Sequence, residues 1–272
     1  MALTALMQFD DRADAAGRGA QSVAGLTKAL RAAKAAAARG TARALWADVC
    51  EVQWRLSRAH ERAWSIATKN GKASVQQQHM RSGLAAARSA VEIADGLRPD
   101  GNALSAAAAR RLQHLAHKWA AIFVGYETNS AGTKQKLKNL PILLAHAQRA
   151  SELNPADATC HHTLGQVCFS IASISRTKRA LARTLYGAVI PAATYADALR
   201  HFQDAERVAA EGGGPAKPMN RVWLSRVCTA LGDARKAKAW AEKVLDLPCG
   251  TAEEQRAHKE AKALLKAGQS RL

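Results

Sequence analysis

Apolar residues recur along this chain mainly at the three- and four-residue spacing of an α-helix. No stretch shows the period-two alternation of β-branched residues that predicts a strand. Glycine, proline and asparagine separate the helical blocks, because they end a helix by removing a backbone donor or by allowing positive φ. We predict helices over residues 21–38, 42–67, 74–95, 103–126, 133–153, 157–173, 175–188, 194–210, 217–231, 233–246 and 251–267.

These helices are predicted to pair as hairpins of the tetratricopeptide-repeat kind. Pro155 stops one helix, and Gly165 then stands where two helices can cross closely. The block TYADALRHFQDAERV supplies a second helix, with Ala198, Phe202 and Ala205 at successive spacings of four and three. Small residues suit antiparallel helices that pack at short distance. The predicted fold class is therefore all-α: a tetratricopeptide-like helical-hairpin array, or α-solenoid.

An extra segment separates the two helices of one predicted hairpin. The block TYADALRHFQDAERV begins about twenty residues too late after Gly165 for a repeat of roughly 34 residues. The intervening SISRTKRALARTLYGAVIPAA contains a basic amphipathic helix and no acid. It either binds an anionic surface or fills the repeat groove with its apolar side, and both readings stay open. Its candidate partner-binding cations are Arg176, Lys178, Arg179 and Arg183.

A second basic cluster, TKQKLK, stands at the predicted start of the helix over residues 133–153. Cations at a helix N-terminus oppose the macrodipole and cost a few tenths of a kcal/mol each, so their placement favours a binding role. The alternative is a solvated face without a partner. The candidate partner-binding residues of this cluster are Lys134, Lys136 and Lys138.

The net charge bears on both clusters. At +18, with a pI of about 10.2, the chain favours a polyanionic partner such as nucleic acid, an acidic membrane face or a microtubule. Codon bias in an alanine- and arginine-rich chain explains part of the total, but it does not explain the clustering. The two basic clusters, rather than the net charge of the whole chain, therefore indicate where an anionic partner would bind.

We divide the chain into a basic, alanine-rich and helical N-terminal segment, residues 1–40, and a tetratricopeptide-like helical domain, residues 41–268. The N-terminal segment resembles a mitochondrial presequence in its basic residues, but Asp10, Asp11 and Asp14 precede them, and presequences avoid acids. We therefore expect the cytoplasm and the cytoskeleton rather than mitochondrial import. No apolar run approaches the roughly 18 residues that span a membrane, so we expect no transmembrane segment.

The stretch ATCHHTLGQVCFS holds the residue types of a zinc site. Cys160 and Cys168 lie on one helical face, whereas His161 and His162 are rotated away from it. Four ligands spread around one helix cannot converge on a tetrahedral ion. We therefore expect buried core cysteines and half-exposed histidines, with no metal bound by this stretch.

Packing roles also account for the other histidines and tryptophans that could have indicated a binding or catalytic site. His114 and His117 share a helix without a third nearby ligand, so we expect packing and surface roles. Trp46, Trp54 and Trp64 are expected to anchor the core rather than to stack on bases. The motifs GxSxG, GxxxxGK[ST] and HExxH are missing. We expect no catalytic residue, no cofactor and no metal, and hence not an enzyme.

A series of ordered blocks resembles a known family. The blocks are VCEVQWRLSRAH, HKWAAI, AGTKQKLKN, SELNPADAT, HTLGQVCFSIA, TYADALRHFQDAE and LGDARKAKAWAEKVLDLP. Together they resemble the regulator of microtubule dynamics family over roughly residues 48–265. The resemblance implies a helical array without an active site that associates with microtubules or the spindle. It also implies, for one branch of the family, organelle tethering and phospholipid binding.

From these observations we expect a non-enzymatic helical-repeat scaffold that binds tubulin, microtubules or their associated proteins, with an axoneme or the spindle as a setting. The alternative is a phospholipid-binding or tethering domain at an organelle surface. A third hypothesis, an RNA-associated protein of an organellar ribonucleoprotein, rests on charge alone. Because aromatic and basic residues are not interleaved, we favour a protein polymer over nucleic acid.

Overall fold

The computed structural model describes residues 19–39, 43–99, 104–187, 189–212 and 217–269, and every regular element in these ranges is an α-helix. Each predicted helix is present, and its ends differ from the prediction by a few residues, so the all-α class is confirmed. Residues 1–18 of the predicted N-terminal segment and residues 213–216 lie outside the described residues. The helices are α1 (Gly19–Arg39), α2 (Arg43–Lys69), α3 (Ala73–Gly96), α4 (Ala106–Ser130), α5 (Thr133–Leu153), α6 (Ala158–Ala172), α7 (Arg176–Tyr186), α8 (Tyr195–Glu211), α9 (Pro218–Ala230), α10 (Ala234–Leu245) and α11 (Ala252–Gln269).

The chain forms two compact units. Unit 1 contains α1 to α4 and the short segment Glu152–Asn154, whereas unit 2 contains Thr133–Ser151 of α5 and all of α6 to α11. In unit 1, α2 packs against α1, α3 and α4, and α3 packs against α4. Leu26 of α1 is buried against Val52 and Leu56 of α2, so the alanine-rich first helix belongs to the core of this unit.

A buried acid holds two helices of unit 1 together. Glu51 on α2 is buried and accepts a hydrogen bond from Arg55 at 3.0 Å, one helical turn away. Arg111 on α4 donates to the other carboxylate oxygen. Because both oxygens have cationic donors, the charge of Glu51 is compensated inside the helical packing.

In unit 2, α6 and α8 form a helical pair, α9 packs on α8, and α10 and α11 pack on α9. One core cluster includes Cys168 of α6, Phe202 of α8 and Leu224 of α9. A second cluster joins α9, α10 and α11 through residues such as Val222 and Val244. The predicted pairing of residues around Gly165 with those around Phe202 is therefore confirmed.

Glycine permits the close crossing of α6 and α8. A Cβ atom on Gly165 would lie 2.6 Å from Cδ1 of Phe202, nearer than side-chain atoms approach one another in folded proteins. Gly83 of α3 stands in the same relation to the ring of Phe123 of α4, in unit 1. Each unit therefore contains a glycine that receives a phenylalanine ring from the partner helix.

Among the described helices, none combines the length and the apolar character that crossing a bilayer requires.

Candidate functional site

Helix α7 is the segment inserted between the paired helices α6 and α8. It begins at an N-cap formed by Ser175, whose hydroxyl accepts a hydrogen bond from the backbone N–H of Lys178. It ends at Gly187, whose φ of 61° lies in the left-handed region that glycine adopts without strain. The local sequence therefore defines both ends of α7 without help from the hairpin.

Arg179 hydrogen-bonds α7 to the chain segments immediately before and after it. The Arg179 guanidinium donates to the carbonyl oxygens of Ile171 at 2.7 Å and Pro191 at 2.9 Å. It also donates to the carbonyl oxygens of Ile174 at 3.2 Å and Ile190 at 3.4 Å. These carbonyls lie before and after α7, so Arg179 joins the two ends of the insert. Arg179 was predicted to bind a partner; four of the five N–H groups of its guanidinium already donate within the chain, which gives it a structural role.

The other predicted cations of α7 are exposed. Arg176, Lys178 and Arg183 make no side-chain hydrogen bond or ion pair with any residue that the structure describes. Arg176 and Arg183 are two turns apart and share one side of the helix. The positive charges of α7 are therefore available to an external anion.

An apolar strip on α7 is also exposed. Leu181 and Leu185 lie one turn apart on the same side, with 52% and 59% of their surface accessible, and Val189 beyond the helix is 73% exposed. Ala182 is buried on the inner side. The sequence left open whether the apolar side of the inserted helix fills the repeat groove, and the exposure of Leu181 and Leu185 shows that these two residues do not. The exposure of Val189 was not predicted.

The three predicted lysines of α5 project into solvent. Lys134, Lys136 and Lys138 are exposed, whereas Leu137 and Leu140 between and beyond them are buried. Within the described ranges these lysine side chains have no hydrogen-bonding or ion-pairing neighbour. Their charges at the positive end of α5 are unneutralised, which is unfavourable for the isolated helix.

Several other cations of unit 2 are paired with acids. Lys236 lies 2.8 Å from Asp233, Arg200 lies 3.3 Å from Asp197, and Arg207 contacts both Asp204 and Glu211. Further pairs join Arg221 to Glu206, Arg226 and Arg256 to Glu260, and Lys238 to Glu242. The exposed cations of α5 and α7 thus differ from these because they lack acidic neighbours.

The cysteine and histidine stretch of α6 is packed into the protein. Cys160 and Cys168 are buried, as predicted, and burial raises the pKa of the Cys168 thiol to about 11. His162 is half-buried and its Nδ1 lies 2.8 Å from Oδ1 of Asn220. His161 was predicted to be half-exposed, and that prediction is wrong because its ring is buried and hydrogen-bonded to the Pro155 carbonyl.

The aromatic and histidine predictions for unit 1 hold in part. Trp54 is buried in the core, and Trp64 stacks on Tyr126 with ring centroids 4.5 Å apart. Trp46 is 42% exposed, so its predicted role as a core anchor is wrong. His117 is buried and contacts Asp95 at 3.1 Å, which agrees with a packing role.

Comparison with known proteins identifies the chain's relatives. The family model described as regulator of microtubule dynamics protein 1-3 matches residues 29–269. Regulator of microtubule dynamics protein 1 of Bos taurus is 34% identical over 56% of this chain and 46% of its own length. Regulator of microtubule dynamics protein 3 of Xenopus laevis is 27% identical over 77% of this chain and 40% of its own length.

The fold has a counterpart among solved structures. The crystal structure of a thermophilic tetratricopeptide-repeat protein of Thermus thermophilus superposes with a TM-score of 0.51 and 13% sequence identity. The superposition covers 96% of this chain and 99% of that one, and it supports the helical-repeat fold alone. The chain spans less than half the length of the curated relatives described above. The match of the family model to most of the sequence shows that the chain belongs to the regulator of microtubule dynamics family.

Proposed function

We propose that this chain is a non-enzymatic helical-repeat scaffold that associates with microtubules through exposed cations of unit 2. The contact residues, together called here the basic surface, form two groups: Lys134, Lys136 and Lys138 at the start of α5, and Arg176, Lys178 and Arg183 on α7. Its setting is the cytoplasmic cytoskeleton, and a microtubule assembly such as an axoneme is the environment we propose. The names of its relatives refer to microtubule dynamics, which supports this choice of polymer.

The absence of acidic neighbours around the basic surface, within the part of the chain described, is the observation that carries the proposal. A paired cation must give up its carboxylate, in whole or in part, when it binds another anion. The six cations of the basic surface lose only water and mobile counterions. Tubulin presents an acidic exterior, so several such contacts give an attraction that is individually weak and collectively effective.

Arg179 is excluded from the basic surface because it has a structural role. Its four carbonyl contacts hold α7 on the hairpin, so its removal would disturb α7 as well as change the charge. A loss of binding in an Arg179 variant would therefore not identify a contact. The six remaining cations can be changed without removing a hydrogen bond of their side chains to a described residue.

Co-sedimentation with polymerised tubulin at rising salt tests the proposal. The wild-type chain should pellet with microtubules at low salt and be released as salt increases, because the Debye length falls to about 10 Å at 0.1 M. A variant with Lys134→Gln, Lys136→Gln and Lys138→Gln should pellet less, and so should one with Arg176→Gln, Lys178→Gln and Arg183→Gln. No pelleting of the wild-type chain at low salt would refute the proposal.

A charge-matched control separates a local surface from total charge. Lys236→Gln, Lys238→Gln and Arg256→Gln together remove the same charge, but each of these cations already pairs with an acid. This control should bind almost as well as the wild-type chain. Equal loss in the control and in the two basic-surface variants would show that net charge, not the basic surface, drives the binding.

The exposed apolar strip supports a second candidate function, docking on an anionic phospholipid surface. Leu181, Leu185 and Val189 are exposed beside Lys178, and such a helix can bury its apolar side among lipid headgroups. Flotation with phosphatidylserine vesicles and with neutral phosphatidylcholine vesicles tests this function. Leu181→Ser with Leu185→Ser should abolish flotation and leave microtubule pelleting nearly unchanged. No flotation of the wild-type chain would exclude the second candidate.

A further inference from the structure

Two buried imidazole nitrogens in unit 2 lack hydrogen-bond partners. His161 on α6 and His201 on α8 stack with ring centroids 6.4 Å apart and an interplanar angle of 29°. The Nδ1 atom of each ring is buried, and neither atom has a hydrogen-bond partner in the described part of the chain. Buried polar atoms without partners are uncommon in folded proteins because their loss of hydration is uncompensated. Two of them in neighbouring rings point to a shared ligand.

The position of the hydrogen on His161 leaves Nδ1 free to act as a ligand. Its Nε2 atom lies 2.8 Å from the carbonyl oxygen of Pro155. A carbonyl oxygen only accepts, so Nε2 carries the hydrogen and Nδ1 keeps its lone pair. An imidazole whose other N–H donates to a backbone carbonyl is the arrangement that orients metal-ligating histidines. His161 is thus oriented as a ligand by the backbone that precedes α6.

A carboxylate completes the group. His201 and Asp204 are three residues apart on α8, so their side chains leave the same side of the helix. One ligand atom from each of His161, His201 and Asp204 lies within 4.8 Å of the other two. Around a tetrahedral ion with bonds of about 2.0–2.2 Å, ligand atoms stand roughly 3.4 Å apart. Small side-chain rotations are enough to close that difference.

The charges around the group do not prevent a cation from binding. Asp204 contacts Arg207 at 3.3 Å, but Arg207 also contacts Glu211 at 3.0 Å and keeps that partner if Asp204 turns away. Arg200, the neighbour of His201, is paired with Asp197 at 3.3 Å. The nearby arginines therefore have acids of their own, and Asp204 is available to a bound ion.

We propose that His161, His201 and Asp204 bind a divalent transition-metal ion, Zn²⁺ in the first place, and that the ion joins α6 to α8. Two imidazoles and one carboxylate suit Zn²⁺, Ni²⁺ or Cu²⁺ better than the oxygen-preferring Mg²⁺ or Ca²⁺. Three protein ligands leave one tetrahedral position for water. This proposal departs from the expectation that the stretch ATCHHTLGQVCFS binds no metal. Of its four cysteine and histidine residues only His161 is a proposed ligand, and the other two ligands come from α8.

Such an ion would stabilise the hairpin that carries α7. It binds to the folded arrangement of α6 and α8 and not to the unfolded chain, so it shifts the folding equilibrium by mass action. Because α7 is inserted between these two helices, the metal site and the α7 part of the basic surface belong to the same helical hairpin. The metal site does not depend on microtubule association, and the two proposals can fail separately.

Titration of the chelator-treated full chain with Zn²⁺ tests the site. The exposed thiol of Cys249 is first changed to serine, since an exposed cysteine can bind Zn²⁺ adventitiously. Isothermal titration should show one Zn²⁺ per chain, Zn²⁺ should raise Tm, and Mg²⁺ should do neither. Co²⁺ in place of Zn²⁺ should give the visible absorption of a four-coordinate nitrogen and oxygen site.

Two ligand variants and one matched control decide between the site and non-specific binding. Asp204→Asn should weaken Zn²⁺ binding by more than about tenfold, since loss of a mere orienting partner already costs ten- to a hundredfold. His201→Gln should do the same. His258→Gln is the control, because His258 also contacts a backbone carbonyl, that of Leu247 at 3.1 Å, but lies on α11. It should bind Zn²⁺ like the wild-type chain.

Circular dichroism distinguishes a loss of Zn²⁺ binding in the two ligand variants from misfolding. Asp204→Asn and His201→Gln should keep the far-ultraviolet circular dichroism of the wild-type chain without metal. If the wild-type chain binds no Zn²⁺, or if correctly folded Asp204→Asn binds it as tightly as the His258→Gln control, the proposal is overturned.

Discussion

The crossing of α6 and α8 at Gly165 allows a quantitative test of the packing. Gly165→Ala would place a Cβ atom 2.6 Å from both Cδ1 and Cε1 of Phe202 and 2.8 Å from its Cζ. Phe202 cannot simply swing away, because it is fully buried and its ring stacks on Trp223 with a centroid distance of 5.9 Å. The added methyl group therefore has to push the helices apart or force the ring off its rotamer.

The magnitude follows from two opposing effects. Alanine in place of glycine at an unhindered helical position stabilises by up to about 1 kcal/mol. Forcing an extra carbon into a filled core costs about 1–3 kcal/mol. Gly268 in α11 is a matched control, because a Cβ atom there meets nothing within 4 Å. Gly268 stands one residue before the end of α11, where alanine gains less than at the interior position Gly165. The stability difference therefore equals the steric cost reduced by part of that gain, and we expect Gly165→Ala to be less stable than Gly268→Ala by about 1–2 kcal/mol.

Urea unfolding followed by circular dichroism measures this difference, with separate transitions fitted if the two units unfold separately. Adding Phe202→Leu to Gly165→Ala should recover part of the loss, with a coupling energy of about 0.5–3 kcal/mol between the two sites. If Gly165→Ala and Gly268→Ala shift the transition equally, or if the double variant shows no coupling, the close crossing is not what limits this position.

Three other predictions concern electrostatic contacts. Glu51→Gln should destabilise unit 1 by about 2–3 kcal/mol in urea unfolding, because a neutral amide replaces the buried carboxylate that accepts from both Arg55 and Arg111. Unchanged stability would contradict that role. Burial, and then His79, lower the pKa of His60 to about 4. Because the unfolded state binds the proton more readily, the contribution of His60 to the free energy of unfolding should be fully present above pH 6.5 and fall by about 3 kcal/mol towards pH 4. In measurements of stability against pH, His60→Gln should show a shallower fall than the wild-type chain. Arg179→Ala should expose the insert to limited proteolysis while Arg183→Ala, its exposed neighbour, should not.

The hairpin of α6 and α8 was predictable from the sequence because its determinants are local. Helical periodicity, the stop at Pro155 and the small residue at Gly165 each act within a few residues of the chain. The spacing of Ala198 and Phe202 then identified the second helix and, by its late position, the presence of an insert. The structure agrees with each of these points.

Other features depend on contacts between residues distant in sequence and were missed. The four carbonyl partners of Arg179 come together only when the chain on both sides of α7 returns to the hairpin. His161 meets His201 only through the packing of α6 on α8, and no spacing rule covers that pair. Trp46 is a large aromatic residue of the kind that usually lies in a core, but it stands on the solvent side of α2 and is partly exposed.

The hydrogen bonds of Arg179 also bear on how the binding preference of this chain could be changed. The Arg179 guanidinium donates to carbonyl oxygens on both sides of α7, so it holds the two ends of the insert together. The conformational entropy lost when the insert is ordered is then that of a closed loop and does not involve the helices on either side. The outward residues of α7 can then be exchanged without rebuilding the helices beneath. A library that varies the exposed positions of α7 and retains Arg179 should therefore yield folded proteins with altered binding preferences.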